Sequence, residues 1–334
     1  MYLFIFNLKF TTNKMNNFKA SKNDHKEIPG NPSTAKTSNV NLRKYATPGS
    51  LRVLTIDQWE FWMENGYVVI NNAISSEQAH LTAKSIWEFE DKDPNDQKTW
   101  YTAPRATMEM KELAGTGMVE VYNSQMLWNN RQNQKVYDAF VDIWGTEKLW
   151  VTIDRANLNL PIRPGFKYDG FIHWDYDPDT KPQNVQGVIA LSDQKDKNMG
   201  GFQCIPWLFK NYDKWKLTQP RDRNRFQPNV KGLEDKIVKV GLNAGDLLIF
   251  NSSEPHGIRP NYSKDKVRIA QYISMMPAQE DNIELKNWRI KSWKDRIAPE
   301  GYAFPGDPRN WEQQKYKTAI LSELGKKLLG LNNW

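Results

Sequence analysis

The sequence predicts a single α+β domain, in which a β core of the sandwich, jelly-roll or barrel kind is flanked by N-terminal and C-terminal helices. Three observations predict it. Apolar residues between positions 55 and 144 recur at helical spacing. After Gly145 the chain breaks into short β-rich runs separated by Gly, Pro, Asn and Asp. The C-terminus then returns to helical spacing, and no internal repeat divides the 334 residues. Helices packing on one β core make one unit rather than two.

Residues 1–50 are rich in Asn, Lys, Ser and Thr, lack apolar periodicity and read as a flexible basic tail, with the domain at 51–334. The tail holds eight Lys/Arg against two acidic residues, and the remainder carries 38 basic and 37 acidic side chains. Six of the seven net positive charges therefore belong to the tail, and no nucleic-acid surface is implied for the domain. Tyr2–Phe6 is apolar but short, with no charged segment before it, and Met15 is an alternative start. A cytoplasmic protein with a disordered leader is expected over one carrying an N-terminal targeting segment. No run approaches the ~18 apolar residues needed to cross a bilayer, so no membrane role is expected. The single Cys204 excludes an internal disulfide and a multi-cysteine metal site, and reads as a buried small hydrophobe.

Thr55 is placed to cap a helix bearing Trp59, Phe61, Trp62 and Met63, with Gly66 to end it. Tyr67–Ile70 reads as a strand. Ser75 and Ser76 open a second helix, to about Glu90, with Ala79, Ala83, Ile86 and Trp87 as its stripe. His80 lies on it as a surface or core-edge residue. A third helix covers about Gln132–Trp144. The strands expected next are Leu149–Leu160, Phe171–Asp175, Val185–Leu191, Phe202–Ile205, Lys236–Val240, Leu247–Phe250 and Val267–Met275. The last helix carries Ala319, Ile320, Leu324, Leu328 and Leu329.

Two of the four histidines fall in segments that suit a metal site. In His173-Trp174-Asp175 a strand would point residues i and i+2 the same way. His256, after the run Gly245-Asp246-Leu247-Leu248-Ile249-Phe250, would complete a two-histidine, one-carboxylate facial set. That set suits non-haem Fe(II) and leaves positions open for O2 and a bidentate 2-oxo acid. Asp177 shares the parity of His173. The closer spacing of Asp175, and Pro178 after Asp177, favour Asp175. Arg268, twelve residues after His256, sits among Val267, Ile269 and Ala270 on a strand expected to run back beside the one bearing His256. Its guanidinium suits a carboxylate through two parallel hydrogen bonds. Arg259 is the rival, but Pro260 follows it. Arg155, Asn157 and Asn159 share one strand face, where Asn157 is a candidate contact to co-substrate or substrate. A solvated face is the competing reading.

These segments, with Gly200-Gly201-Phe202-Gln203-Cys204-Ile205-Pro206 and Pro260-Asn261, resemble the phytanoyl-CoA dioxygenase family from about Thr55 to Pro277. The resemblance implies a double-stranded β-helix, a jelly-roll core, and an Fe(II)- and 2-oxoglutarate-dependent oxygenase. It implies iron at His173, Asp175 and His256, with the distal carboxylate of 2-oxoglutarate at Arg268. The chain departs from the family in having Ile258 and Ala270 where small hydroxyl residues are common, and Trp207-Leu208-Phe209 after Pro206. Nothing signals coenzyme A.

The expected reaction is oxidation of an unactivated C–H bond of a small molecule, by hydroxylation, desaturation or oxidative cyclisation, with release of succinate and CO2. Arg221, Arg223 and Arg225 in one loop fit an anionic, carboxylate-bearing substrate, against the alternative of local pairing with Asp. Two other functions compete: a metal-dependent cupin-like dioxygenase or isomerase that does not use 2-oxoglutarate, and a catalytically silent jelly-roll binding module.

Overall fold

The computed structural model describes residues 41–44, 50–102, 117–163, 165, 167–299 and 306–334. Most of the predicted tail lies outside these. Of its described residues, Leu42 is buried and its N–H donates to Gln183, 3.1 Å away.

Local chemistry sets the first elements. Thr55 caps the helix Ile56–Asn65 through a capping box with Gln58, and Gly66 closes it in the left-handed region at φ 72°. Trp59 and Trp62 face inward, whereas Phe61 and Met63 are exposed. Strand β1 (Tyr67–Ile70) follows, then the helix Ser76–Phe89, on which His80 is exposed. The remaining strands are β2 (Met118–Val119), β3 (Leu149–Val151), β4 (Ala156–Asn159), β5 (Val185–Ala190), β6 (Gly201–Cys204), β7 (Val238–Lys239), β8 (Leu247–Asn251), β9 (His256–Arg259), β10 (Arg268–Tyr272) and β11 (Met275–Pro277).

Six of them form one antiparallel sheet in the order β1-β8-β5-β10-β4-β2, and three form a second, β7-β6-β9. Between them lies an apolar cluster including Val188, Leu248, Phe250 and Ala270 from the large sheet and Phe202 and Cys204 from the small one. The alternate residues of the large sheet, such as Ile189, Leu247 and Ile249, join a cluster with Val136, Phe140 and Ile143 of the helix Gln134–Trp144. Both faces of β5 and β8 are thus covered. This is why their sequences read as nearly continuous apolar runs rather than as alternation.

Several expected strands differ in extent. Leu149–Leu160 divides into β3 and β4, and Val267–Met275 into β10 and β11. The breaks coincide in space: Thr152 N–H donates to Ser274 O at 2.8 Å, and Ser274 N–H to Thr152 Oγ1 at 2.9 Å. Both chains bend there together, leaving β4 and β10 in the large sheet while β3 pairs with β11. Phe171–Asp175 is not a strand, since only His173 bridges to His256. Strand β9, which begins at His256, adds to the expected strands. It lies in the small sheet and β10 in the large one, so Arg268 does not run back beside His256. Among the described residues five helices add to those expected: Gln97–Trp100, Gln125–Arg131, Pro206–Trp215, Ile283–Asp295 and Trp311–Lys315. The last helix is shorter than expected, Glu323–Leu329, and leaves Ile320 exposed. Among the described residues no helix is long and apolar enough to cross a membrane.

Candidate metal centre

His173 and His256 are neighbours because their backbones exchange hydrogen bonds, His173 N–H to His256 O at 2.8 Å and the reverse at 2.9 Å. Trp174 then fixes the orientation of the residues on either side of it. Its indole is fully buried among Ile172, Ile205, Leu208 and Trp215, and donates to Ser253 O at 2.9 Å. With Trp174 turned into that cluster, His173 and Asp175 point the other way. The i,i+2 parity survives without a strand.

Among the described residues, one group of His, Cys, Asp and Glu side chains has the spacing of a metal site: His173, Asp175 and His256, whose donor atoms lie within 4.8 Å of one another. His173 Nε2 is 3.4 Å from Asp175 Oδ1, and His256 Nε2 is 3.5 Å from Asp175 Oδ2. His256 Nδ1 lies 3.0 Å from the carbonyl of Glu254, a pure acceptor. The ring proton therefore sits on Nδ1, and Nε2 presents its lone pair. The His256 ring is held by Phe250 and Phe202, with centroids 4.4 and 5.9 Å away. Phe171 lies 4.7 Å from the His173 ring.

The protonation states suit a cation. Burial pushes the His173 imidazole down, outweighing the opposite pull of Asp175. Burial would push the Asp175 carboxyl up, but the two imidazoles outweigh it and hold the group well below the usual carboxylate range. Asp175 Oδ1 and His173 Nδ1 are buried with no hydrogen-bond partner. An orphaned carboxylate oxygen between two imidazoles lacks one thing, a positive charge, so these residues fit a divalent ion. Asp177 is elsewhere: it caps the short turn Pro178–Thr180 and accepts from Arg225 at 3.0 Å.

Arg268 stands on β10, 1% exposed. It shares the face of Ala270, which packs in the cluster between the sheets. Its Nη1 donates to Asn157 Oδ1 at 2.7 Å and its Nε to Gln194 Oε1 at 3.3 Å, with the Tyr272 hydroxyl at 3.5 Å. Every one of these partners is neutral. Arg259, the rival, is consumed by backbone: it donates to Phe202 O at 2.8 Å, Val240 O at 3.1 Å and Gln194 O at 2.9 Å. Asn157 therefore touches the guanidinium of Arg268. Asn159 Oδ1, on the same face, is buried without a partner.

The arginine loop differs from the substrate-facing expectation. Arg223 donates to the Tyr212 hydroxyl at 2.6 Å and to Asp179 at 3.4 Å, while Arg225 pairs with Asp177. These acids lie just past the metal candidates, so the loop clamps that segment.

Two residues at the site escaped the sequence reading. Gln186 on β5 donates to Asp175 Oδ2. It shares the parity of the inward-facing Val188 and Ala190, and a lone polar residue on that face was a usable signal. Gln194 lies in a loop where nothing marked it.

Residues 62–270 match the phytanoyl-CoA dioxygenase (PhyH) family. An Aspergillus versicolor protein, Ava biosynthesis cluster protein O, is 30% identical over 254 residues, which are 69% of this chain and 80% of that one. A hypothetical protein of Escherichia coli has a crystal structure with a TM-score of 0.61 at 19% identity, covering 84% of this chain and 82% of that one. The GlcNAc Inducible Gene 2 protein of Candida albicans gives 0.61 at 15% identity, with 86% and 78% covered. At these identities the two structures speak to the fold alone.

Proposed function

Because the chain belongs to the phytanoyl-CoA dioxygenase family, and is thus a 2-oxoglutarate-dependent non-haem iron dioxygenase, we propose that it oxidises a C–H bond of a small molecule at an iron held by His173, Asp175 and His256. The carrying observation is the convergence of these three donors around an orphaned carboxylate oxygen. Bound iron, with 2-oxoglutarate and O2, supplies the oxidation and the release of succinate and CO2. The chain's own residues prepare the site. Glu254 O sets the tautomer of His256, which leaves Nε2 free for the metal, and the Asp175 carboxyl lies well below the usual carboxylate range.

Arg268 receives the distal carboxylate of 2-oxoglutarate in this reading. A buried guanidinium whose partners are all neutral has an unmet demand for an anion. Asn157 orients that guanidinium. The same demand argues against the two competing functions, neither of which needs an anion there. The substrate is drawn from specialised metabolism, a reading supported by the biosynthesis-cluster name of the Aspergillus versicolor relative. An anionic substrate has less support, since Arg223 and Arg225 are engaged by Asp179 and Asp177.

Succinate formation from 2-oxoglutarate with Fe(II) and O2 tests the reading. Wild-type turnover with near-complete loss in His173→Ala and Asp175→Ala is expected, and full turnover in both variants sinks the assignment.

A further inference from the structure

The geometry points to Gln186 as the positioning residue that makes Asp175 a one-oxygen ligand, an inference that rests on the iron site proposed above. A carboxylate can bind a cation through one oxygen or two. Two would occupy an extra coordination position and leave too few for a bidentate 2-oxo acid and O2. Here the two oxygens are not equivalent. Oδ2 accepts from the Gln186 side-chain amide, whereas Oδ1 is buried with no partner. A carboxylate only accepts, so the contacting amide atom is the nitrogen and its role is donor.

The position of Gln186 is set by the sheet. It pairs with Phe250 of β8, and two residues on, Val188 pairs with both Leu248 and Tyr272. Strands on both sides therefore hold β5, and the amide comes to Asp175 from the large sheet. The iron ligands come from the opposite side: β9, and the segment bridged to it. Gln186 thus ties the carboxylate to the rigid sheet, turning Oδ1 towards the imidazole of His173 at 3.4 Å.

Two substitutions separate the donor from mere volume. Gln186→Leu removes the donor at similar size, and Gln186→Glu keeps the shape but sets a carboxylate against Asp175. Anaerobic titration of the apo full-length chain with Co(II), followed by its visible absorption, reads affinity and donor set without turnover. Affinity should fall roughly ten- to hundredfold in the leucine variant, as for other residues that orient metal ligands. In the glutamate variant the added negative charge itself attracts Co(II), so there the change of spectrum rather than affinity carries the test, with thermal midpoints of the apo proteins unchanged. Wild-type affinity and spectrum in both variants overturn the inference. If the leucine variant fails to fold, the isosteric glutamate variant decides alone. A wild-type chain that takes up no Co(II) overturns the iron site itself, and so the two failures are distinct.

Discussion

At the scale of single residues, the site separates into groups that a motif reveals and groups that only the fold brings near. The group His173, Asp175 and His256 was legible because its chemistry is carried by residue type and short spacing. Gln194 was not, since it meets Arg268 across 74 residues of chain. The role of Asn157 was half legible: its strand was expected, but its bond to the Arg268 guanidinium was not. Different losses follow for the two. Arg268→Ala should raise the KM for 2-oxoglutarate roughly 10- to 100-fold, the value of charge-assisted hydrogen bonds. Arg268→Lys should recover little, because an ammonium cannot make the two parallel bonds. Asn157→Ala should raise the same KM only about fivefold, through a less ordered guanidinium. Steady-state kinetics with varied 2-oxoglutarate check both, and equal effects would place Asn157 on the co-substrate.

Elements were legible where one periodicity ran uninterrupted. The helices Ile56–Asn65 and Ser76–Phe89 announce their caps, and β5 and β8 announce their burial. The strand divisions were not legible, because Thr152 and Ser274 bend their chains through bonds to each other. Nor was β9, whose four residues, His256–Arg259, carry one glycine, one histidine and one arginine. That glycine decides the site. A Cβ on Gly257 would stand 1.9 Å from the carbonyl oxygen of Phe171, far inside contact distance. Gly257→Ala should therefore force β9 from the 171–173 segment, break the His173–His256 bridge and abolish Co(II) binding, while the large sheet stays folded. Circular dichroism beside metal titration reads both, and retained binding would show that the backbone yields without cost to the ligands.

For the molecule as a whole, the C-terminal segment is a brace. Glu312, in the short helix Trp311–Lys315, accepts from the N–H groups of Tyr122 and Asn123, and the Arg289 side chain donates to the carbonyls of Leu328 and Leu329 at 3.0 Å. Burial pushes the Glu312 carboxyl up to about 7, against the lowering effect of those N–H groups. A raised folded-state value means the native protein holds this proton more tightly than the unfolded chain. Its contribution is full below the unfolded value near 4.5 and is lost as pH rises through about 7. Wild-type stability should fall over that window by up to about 3 kcal/mol relative to Glu312→Gln, as followed by urea unfolding at several pH values. Parallel profiles would mean the group stays ionised throughout. The paired backbones of His173 and His256 have a second consequence at this scale. Two backbone hydrogen bonds join His173 and His256, 83 residues apart in the chain. An ion shared by those imidazoles would bind the folded chain and not the unfolded one, stabilising the closed loop and slowing local opening. Metal should then raise the melting temperature in proportion to the logarithm of its free concentration, and slow hydrogen exchange first at the amides of residues 173 and 256.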